Sequence, residues 1–346
     1  MIRRITIEDL VNMAQRPPIA DVRSPAEFQK AHIPSAFSLP LFSNEERAQV
    51  GTTYKQQSRE AAILLGFDLA GPKWSGFIRT ALEIAPDKKI VVHCWRGGMR
   101  SGAMAWALDL YGFQVFLVDG GYKRFRRWVL EQFEKHWPLT VIGGMTGSGK
   151  TRILHQLHSR GEQTIDLENL AQHQGSSFGT LGRLVQPSTE QFENLLATQL
   201  QTLDSTRRIW IEDESLNIGK ISIPRNFWDR MQRSPLFDMQ VPKELRIKAL
   251  TEEYGPLDKD FLVECTERIR KRLGPEQTKR AVAAIREDRM EDFVREVLVY
   301  YDKTYRTGLS GHAPDSITPV PVQEYDANAN ASLLLEATQT QKICPQ

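Results

Sequence analysis

Apolar residues along this chain gather in short uninterrupted runs, separated by longer stretches of helical spacing, as expected of parallel strands joined by helices. Ile19-Ala-Asp-Val predicts a strand, Ser24 and Pro25 mark a helix start, and a second short strand follows Pro34. Residues 55–66 and 74–85 carry helical apolar spacing, end on Gly66 and Pro86, and are expected to cover a sheet. Lys89-Ile-Val-Val predicts a buried strand, and Gly102-Ala-Met-Ala-Trp-Ala-Leu the helix after it. Val115-Phe-Leu-Val is a further strand, and residues 122–137 a helix that leads out of the domain. Leu139-Thr-Val-Ile and Arg208-Ile-Trp-Ile repeat the strand pattern, and from Lys243 the chain reads as mainly helical. With prolines at 314, 319 and 321, residues 308–324 are expected to form a loop with at most an edge strand, followed by a short helix from Asp326. The class is α/β. At 346 residues two domains are expected, with boundaries at 1–137 and 138–310 and a C-terminal extension at 311–346.

Charge changes this picture little. With 45 basic against 43 acidic residues the net charge is +2, which excludes a uniformly basic nucleic-acid binder but leaves room for a local patch. The three cysteines, Cys94, Cys265 and Cys344, are too few and too scattered for a disulfide framework or a zinc site, so a reducing compartment is expected. No apolar run reaches the length of a membrane span, and charges interrupt the N-terminus; a soluble, cytoplasmic protein without a membrane partner is the expectation.

The candidate chemistry begins at His93-Cys94-Trp95-Arg96-Gly97-Gly98-Met99-Arg100-Ser101, where a buried strand turns through glycines into a helix. Backbone N–H groups and a helix N-terminus hold an anion there and lower the pKa of a thiol, which makes Cys94 the candidate nucleophile. The guanidinium groups of Arg96 and Arg100 are placed to hold an oxyanion such as phosphate. The competing reading of Cys94 is a small core residue at a strand end. Trp95 is a candidate for stacking on a nucleobase, against the alternative of packing between domains. Lys123, Arg124, Arg126 and Arg127, interleaved with Phe125 and Trp128, are either a solvated helix face or an RNA contact.

A second site follows. Gly144-Met-Thr-Gly-Ser-Gly-Lys-Thr151, between a strand and a helix, fits the P-loop pattern. Gly144, Gly147, Ser148 and Gly149 let backbone N–H groups wrap a diphosphate, Lys150 reaches its outer oxygens, and the Thr151 hydroxyl can ligate magnesium. Glu212 and Asp213, at the end of the strand from Arg208, are candidate acidic or metal partners. The loop at 171–179, with His173, Gly175 and Phe178, is a weak binding candidate. The basic stretches at 267–273 and 279–280 read first as solvated faces.

Asp21-Val-Arg23, Glu27-Phe28 and His32-Ile-Pro-Ser-Ala36, together with the cysteine turn, resemble the rhodanese family. One departure is that Arg100 lies six positions after Cys94, one more than is usual in the sulfurtransferases, so a wider anion cradle is expected. The order rhodanese then P-loop, with Ala171–Gly179, Gln186–Glu193 and Glu212–Gly219, is similar to the tRNA 2-selenouridine synthase family. That resemblance implies a rhodanese-like parallel sheet followed by a P-loop NTPase-like α/β domain with a helical C-terminal part. It also implies a two-step reaction at the wobble uridine in the anticodon loop of tRNA. There 2-thiouridine is S-geranylated from geranyl diphosphate, then converted to 2-selenouridine with selenophosphate through an S-selanyl group on Cys94. No tightly bound cofactor is implied; magnesium can join the diphosphate, and an enzyme that supplies selenophosphate is a candidate partner. Two alternatives stay open: a rhodanese-like phosphatase, and a nucleotide-gated sulfur carrier or RNA-binding module.

Overall fold

The computed structural model describes residues 1–173 and 185–340. Contacts divide the chain into a unit made of Met1–Phe133 with Glu190–Gln201 and a unit made of Glu134–Thr189 with Thr202–Gln346.

In the first unit, β1 (Ile2–Ile5), β2 (Ile19–Asp21), β3 (Ala36–Ser38), β4 (Lys89–His93) and β5 (Gln114–Val118) form one parallel sheet in the order β1-β5-β4-β2-β3. Beyond Lys89 every residue of β4 is buried, as its unbroken apolar run requires of a central strand. The loop leaving β4 therefore opens at the carboxyl end of the middle of the sheet, where open α/β sheets bind ligands. The helices are α1 (Ile7–Val11), α2 (Pro25–Lys30), α3 (Asn44–Gln56), α4 (Arg59–Ala70), α5 (Trp74–Ile84), α6 (Met99–Leu110) and α7 (Gly121–Glu134). The helix expected over 55–66 is two helices, because the Ser58 hydroxyl accepts from the Ala61 N–H and starts α4 afresh. Gly66 does not stop α4: a side chain there would meet only Phe42, at 3.4 Å, and the helix runs on until Gly71 and Pro72.

The second unit opens with β6 (Leu139–Gly143), α8 (Lys150–Ser159), β7 (Gln163–Ile165) and α9 (Leu167–Ala171). Helix α10 (Thr189–Gln201) follows in the chain, although from Glu190 onward it counts among the contacts of the first unit. Next come β8 (Ile209–Glu212), the hairpin β9 (Asn217–Ile218) and β10 (Ile221–Ser222), α11 (Arg225–Arg233) and β11 (Leu236–Gln240). Five helices, α12 (Lys243–Tyr254), α13 (Lys259–Arg268), α14 (Arg270–Leu273), α15 (Pro275–Arg286) and α16 (Met290–Leu309), then build a core of their own around residues such as Leu262, Phe293 and Val297. Cys265 belongs to that core.

β12 (Ile317–Pro321) and α17 (Ala327–Thr340) end the described chain. The second sheet is parallel, in the order β12-β11-β6-β8-β7. From β6 the chain builds β7 and β8 on one side before crossing to β11 on the other, so the topological switch falls at β6. Pro319 and Pro321 sit in the edge strand, where a missing N–H removes no inner ladder bond. Stretch 311–346, expected as an extension, contributes β12 and packs Ala331 and Leu334 of α17 with Ile153 and Leu157 of α8. Among the described residues no helix is long and apolar enough to cross a membrane.

Candidate functional sites

Cys94 is the first residue past β4, and its sulfur faces the N-terminal turn of α6. The residue is only 3% exposed and is part of the apolar core of the unit, so the core-packing reading describes its burial correctly. Donors nevertheless converge on the sulfur: the Ser101 hydroxyl lies 3.2 Å away, and the backbone N–H groups of Ser101 and Arg96 also reach it. Burial pushes the thiol up, but these hydrogen bonds and the Arg100 charge outweigh it, and the pKa falls below its ordinary 9.0. Arg96 is exposed. Arg100 does not stand open toward an anion, because its guanidinium donates to Glu27 at 2.7 Å. Burial raises the Glu27 carboxyl, but Arg100 and the Ser24 N–H more than reverse the shift. An oxyanion would therefore have to share Arg100 with Glu27.

The loop depends on two glycine conformations. Gly97 (φ 66°) would bring a side chain within 2.6 Å of the Val118 carbonyl oxygen. Gly121 (φ 55°), where α7 begins, would drive a side chain into the Cys94 carbonyl oxygen and to 2.6 Å from the Gly97 nitrogen. In return, the Tyr122 and Lys123 N–H groups donate to the carbonyl oxygens of Cys94 and Trp95, each at 2.9 Å. The double glycine at 120–121, just where α7 begins, is the sequence signal for this contact.

The remaining motif residues brace this turn. Buried Arg23 pairs with Asp21 at 2.6 Å, donates to the Ala31 carbonyl oxygen at 2.7 Å, and lies 3.8 Å over the Tyr122 ring. The Tyr122 hydroxyl donates to Glu190 and accepts from Asn194, both at 2.9 Å. The His32 N–H donates to Gln191 at 2.8 Å. Glu190, Gln191 and Asn194 of α10 thus continue the polar network behind the cysteine loop.

Arg126, named as an RNA candidate, is held here too. It pairs with Glu193 and donates to Asn194 at 2.6 Å, while Arg124 pairs with Glu8 and Glu131. Phe125 and Trp128 are buried, which corrects their reading as aromatics interleaved with a basic face. Lys123 and Arg127 remain exposed. Trp95 is 38% exposed, with its ring centre 5.7 Å from that of Tyr122.

In the second unit, Gly144, Gly147 and Gly149 all have positive φ, and Gly149 caps α8. A side chain at Gly147 would strike Leu250 of α12 at 2.8 Å. Lys150 folds back to donate to the Gly144 carbonyl oxygen at 2.8 Å, and the Ser148 hydroxyl is buried without a partner. The Thr151 hydroxyl lies 2.6 Å from Glu212 and 3.0 Å from Glu168. Burial, then the neighbouring carboxylates, raises Glu212 well above its ordinary value and pushes Glu214 up to about 8; burial also raises Glu168. One Glu212 oxygen is buried and unpartnered.

Asp213, the other acid named from sequence, lies 3.1 Å from His312. Glu168, an acid not singled out from the sequence, takes its place beside Thr151. Among the described residues no group of three or more His, Cys, Asp and Glu side chains is arranged to hold a metal by itself. Thr151 with one or two acids could nevertheless hold a divalent cation that a bound anion also ligates, and the orphaned Glu212 oxygen fits that use. His173 is buried with its Nδ1 unpartnered, and the rest of the 171–179 loop, from residue 174, lies outside the described residues, as does Cys344.

Comparison with known proteins matches both halves. A family model described as "tRNA 2-selenouridine synthase AAA domain" covers residues 137–324, and one described as "Rhodanese-like domain" covers residues 6–127. A protein named tRNA 2-selenouridine synthase from Nitrosomonas europaea is 38% identical over 252 residues, which is 68% of this chain and 63%, just under two thirds, of that protein. A protein of the same name from Aeromonas salmonicida is 35% identical over 302 residues, 79% of this chain and 77% of that protein.

Proposed function

Because the chain belongs to the tRNA 2-selenouridine synthase family of enzymes, we propose that it replaces the sulfur of 2-thiouridine at the wobble position of tRNA by selenium. In this reading the sulfur is first alkylated by geranyl diphosphate, because a thiocarbonyl sulfur leaves poorly until it carries a carbon group. The P-loop from Gly144 to Thr151 holds the diphosphate, and its amides and Lys150 stabilise the pyrophosphate that departs. Magnesium, when bound, would neutralise charge on that group, with Thr151, Glu212 and Glu168 as its holders.

The single observation that carries the second step is Cys94, a thiol with a lowered pKa at the end of a buried strand. Its thiolate attacks selenium, the S–Se bond forms, and the Se–P bond breaks with its electron pair on phosphorus, so that phosphorus leaves as phosphite. The terminal selenium of the S-selanyl group then attacks C2 of the base and expels geranylthiolate. Two external thiols supply the electron pair that cleaves the remaining S–Se bond: the first attacks the Cys94 sulfur and frees the selenium on the base, and the second displaces Cys94 from the mixed disulfide, leaving as a disulfide with the first. Selenophosphate would come from the enzyme that makes it.

The test is mass spectrometry of nucleosides from thiolated tRNA incubated with the protein, geranyl diphosphate and selenophosphate. Both the geranylated and the selenated nucleosides are expected. Cys94→Ser should accumulate the first and lose the second, and an unchanged selenouridine yield would overturn the carrier role. Orthophosphate as the sole phosphorus product would mean that selenophosphate attacks the base directly. ATP hydrolysis without affinity for geranyl diphosphate would remove the P-loop assignment.

A further inference from the structure

Within the second unit, a groove of 590 Å³ opens between the start of α12 and the last turns of α16, lined by Lys243, Val299, Asp302, Lys303, Arg306 and Thr307, with Ser310 at its end. Val299, Asp302, Lys303, Arg306 and Thr307 fall on one face of α16, since they recur at helical spacing, and Ser310 caps its C-terminal end. Lys243, Lys303 and Arg306 are exposed, and among the described residues none of them forms an ion pair. The acid in the groove is already committed: Asp302 accepts two hydrogen bonds from buried Arg246, at 2.8 and 3.0 Å. Arg246 also donates to the Thr146 carbonyl oxygen in the P-loop turn, at 3.1 Å. The groove therefore presents three cations that form no ion pair among the described residues, although exposed Glu244 beside Lys243 offsets part of its charge, and it is braced from behind by a fixed ion pair.

We propose that this groove binds the sugar–phosphate backbone of the RNA substrate, with Lys243, Lys303 and Arg306 as the phosphate-contacting cations. The inference rests on the reading of tRNA as substrate but assigns the contact to a surface outside both anion loops. The arrangement favours a polyanion over a single small one. From Lys303 to Ser310 the stripe extends about 10 Å along the helix, longer than one phosphate group. Its donors are exposed and strung out, whereas a site for a free anion gathers amides and side chains onto one point, as the P-loop does. The hydroxyls of Thr307 and Ser310, which donate to the Lys303 and Thr307 carbonyl oxygens, can accept from a ribose hydroxyl, and half-exposed Val299 offers an apolar contact to a ribose face.

The test uses the full-length protein and a 2-thiouridine-containing tRNA, with affinity measured at several salt concentrations. Lys303→Gln with Arg306→Gln should lower affinity about tenfold and reduce the slope of log affinity against log salt by about 1.5, the loss expected for two phosphate contacts. Lys303→Arg with Arg306→Lys, which keeps both charges, should hold the slope; a drop there would count against phosphate contact. An unchanged slope in a folded Gln variant overturns the groove alone, whereas failure of the unaltered protein to bind tRNA overturns the substrate reading with it. If inorganic pyrophosphate binding falls in the Gln variant while tRNA binding does not, the groove is a small-anion site and the proposal is wrong. Unchanged tRNA binding with lost affinity for a polyglutamate peptide would likewise replace RNA by an acidic protein segment.

Discussion

Ser101→Ala probes the balance that makes Cys94 reactive. Burial alone raises a thiol, and Cys94 is 3% exposed, so its lowered pKa exists only because the donors around it win. The Ser101 hydroxyl is the largest of the lowering contributions and lies 3.2 Å from the sulfur. A hydrogen bond to a charged group contributes about 1.5–3 kcal/mol, and about 1.4 kcal/mol corresponds to one pKa unit. The same hydroxyl also lies 3.2 Å from the Gly98 carbonyl oxygen, so its single proton is shared and the lower end of that range applies. Removing it should cost the thiolate about 1.5 kcal/mol and raise the Cys94 pKa, with burial then opposed only by the backbone N–H groups and the Arg100 charge.

The readout is the ultraviolet absorbance of the thiolate as a function of pH, taken as a difference against Cys94→Ser to remove the other cysteines. Stability should follow with a defined sign. While the folded pKa is depressed, the unfolded chain binds the proton more readily, so stability is present at high pH and is lost as pH falls through the folded value. In Ser101→Ala that gain should shrink or reverse. A titration that does not move, or moves downward, would refute the claim that these donors control the thiol.

Two further perturbations test the frame behind it. Gly121→Ala places a side chain against the Cys94 carbonyl oxygen and the Gly97 nitrogen at φ 55°; left-handed strain and backbone displacement together should cost about 2–5 kcal/mol, seen as an earlier first transition in denaturant, and a wild-type curve would sink it. Arg126→Ala, which removes the partner of Glu193 and Asn194, should destabilise the helix at Thr189–Gln201 by about 1–3 kcal/mol and speed its amide hydrogen exchange, while Arg127→Ala, at an exposed position, should not; equal effects of the two would show that the pairing does not hold that helix.

The parts of the protein that were legible in its sequence are those whose physics is local. A run such as Lys89-Ile-Val-Val reports a buried strand because burial on both faces removes the alternation of polar residues. The P-loop is readable because each of its glycines answers a backbone requirement within a few residues. Pairings across distance were hidden. Nothing near Arg100 in sequence announces Glu27, 73 residues away, although that carboxylate decides whether the guanidinium is free. Glu168 reaches Thr151 because α8 packs across β7, whose end carries the chain into α9, a matter of topology that spacing does not encode. The assignment of α10 to the first unit, although the chain visits it between strands of the second, was equally unreadable.

The basic residues show why a charge run is a poor guide to a charged surface. Lys123, Arg124, Arg126 and Arg127 are close in sequence, but a helix turns each residue by about 100° from the one before, so Arg124 and Arg126 leave the face that Lys123 and Arg127 share. On α7 the apolar stripe through Tyr122, Phe125, Val129 and Phe133 faces inward. Arg126 flanks it and meets Glu193 and Asn194, and Arg124 is taken by Glu8 and Glu131. Only Lys123 and Arg127, four apart and hence on one face, remain outside. The groove on α12 and α16 is the converse. Lys243 stands 60 residues from Lys303 and appears in no run, yet the fold gathers both beside Arg306, where the one acid lining the groove among the described residues, Asp302, is taken by Arg246. Where a protein meets a polyanion is decided by which cations the fold leaves unpaired, and that choice depends on distant carboxylates more than on local composition.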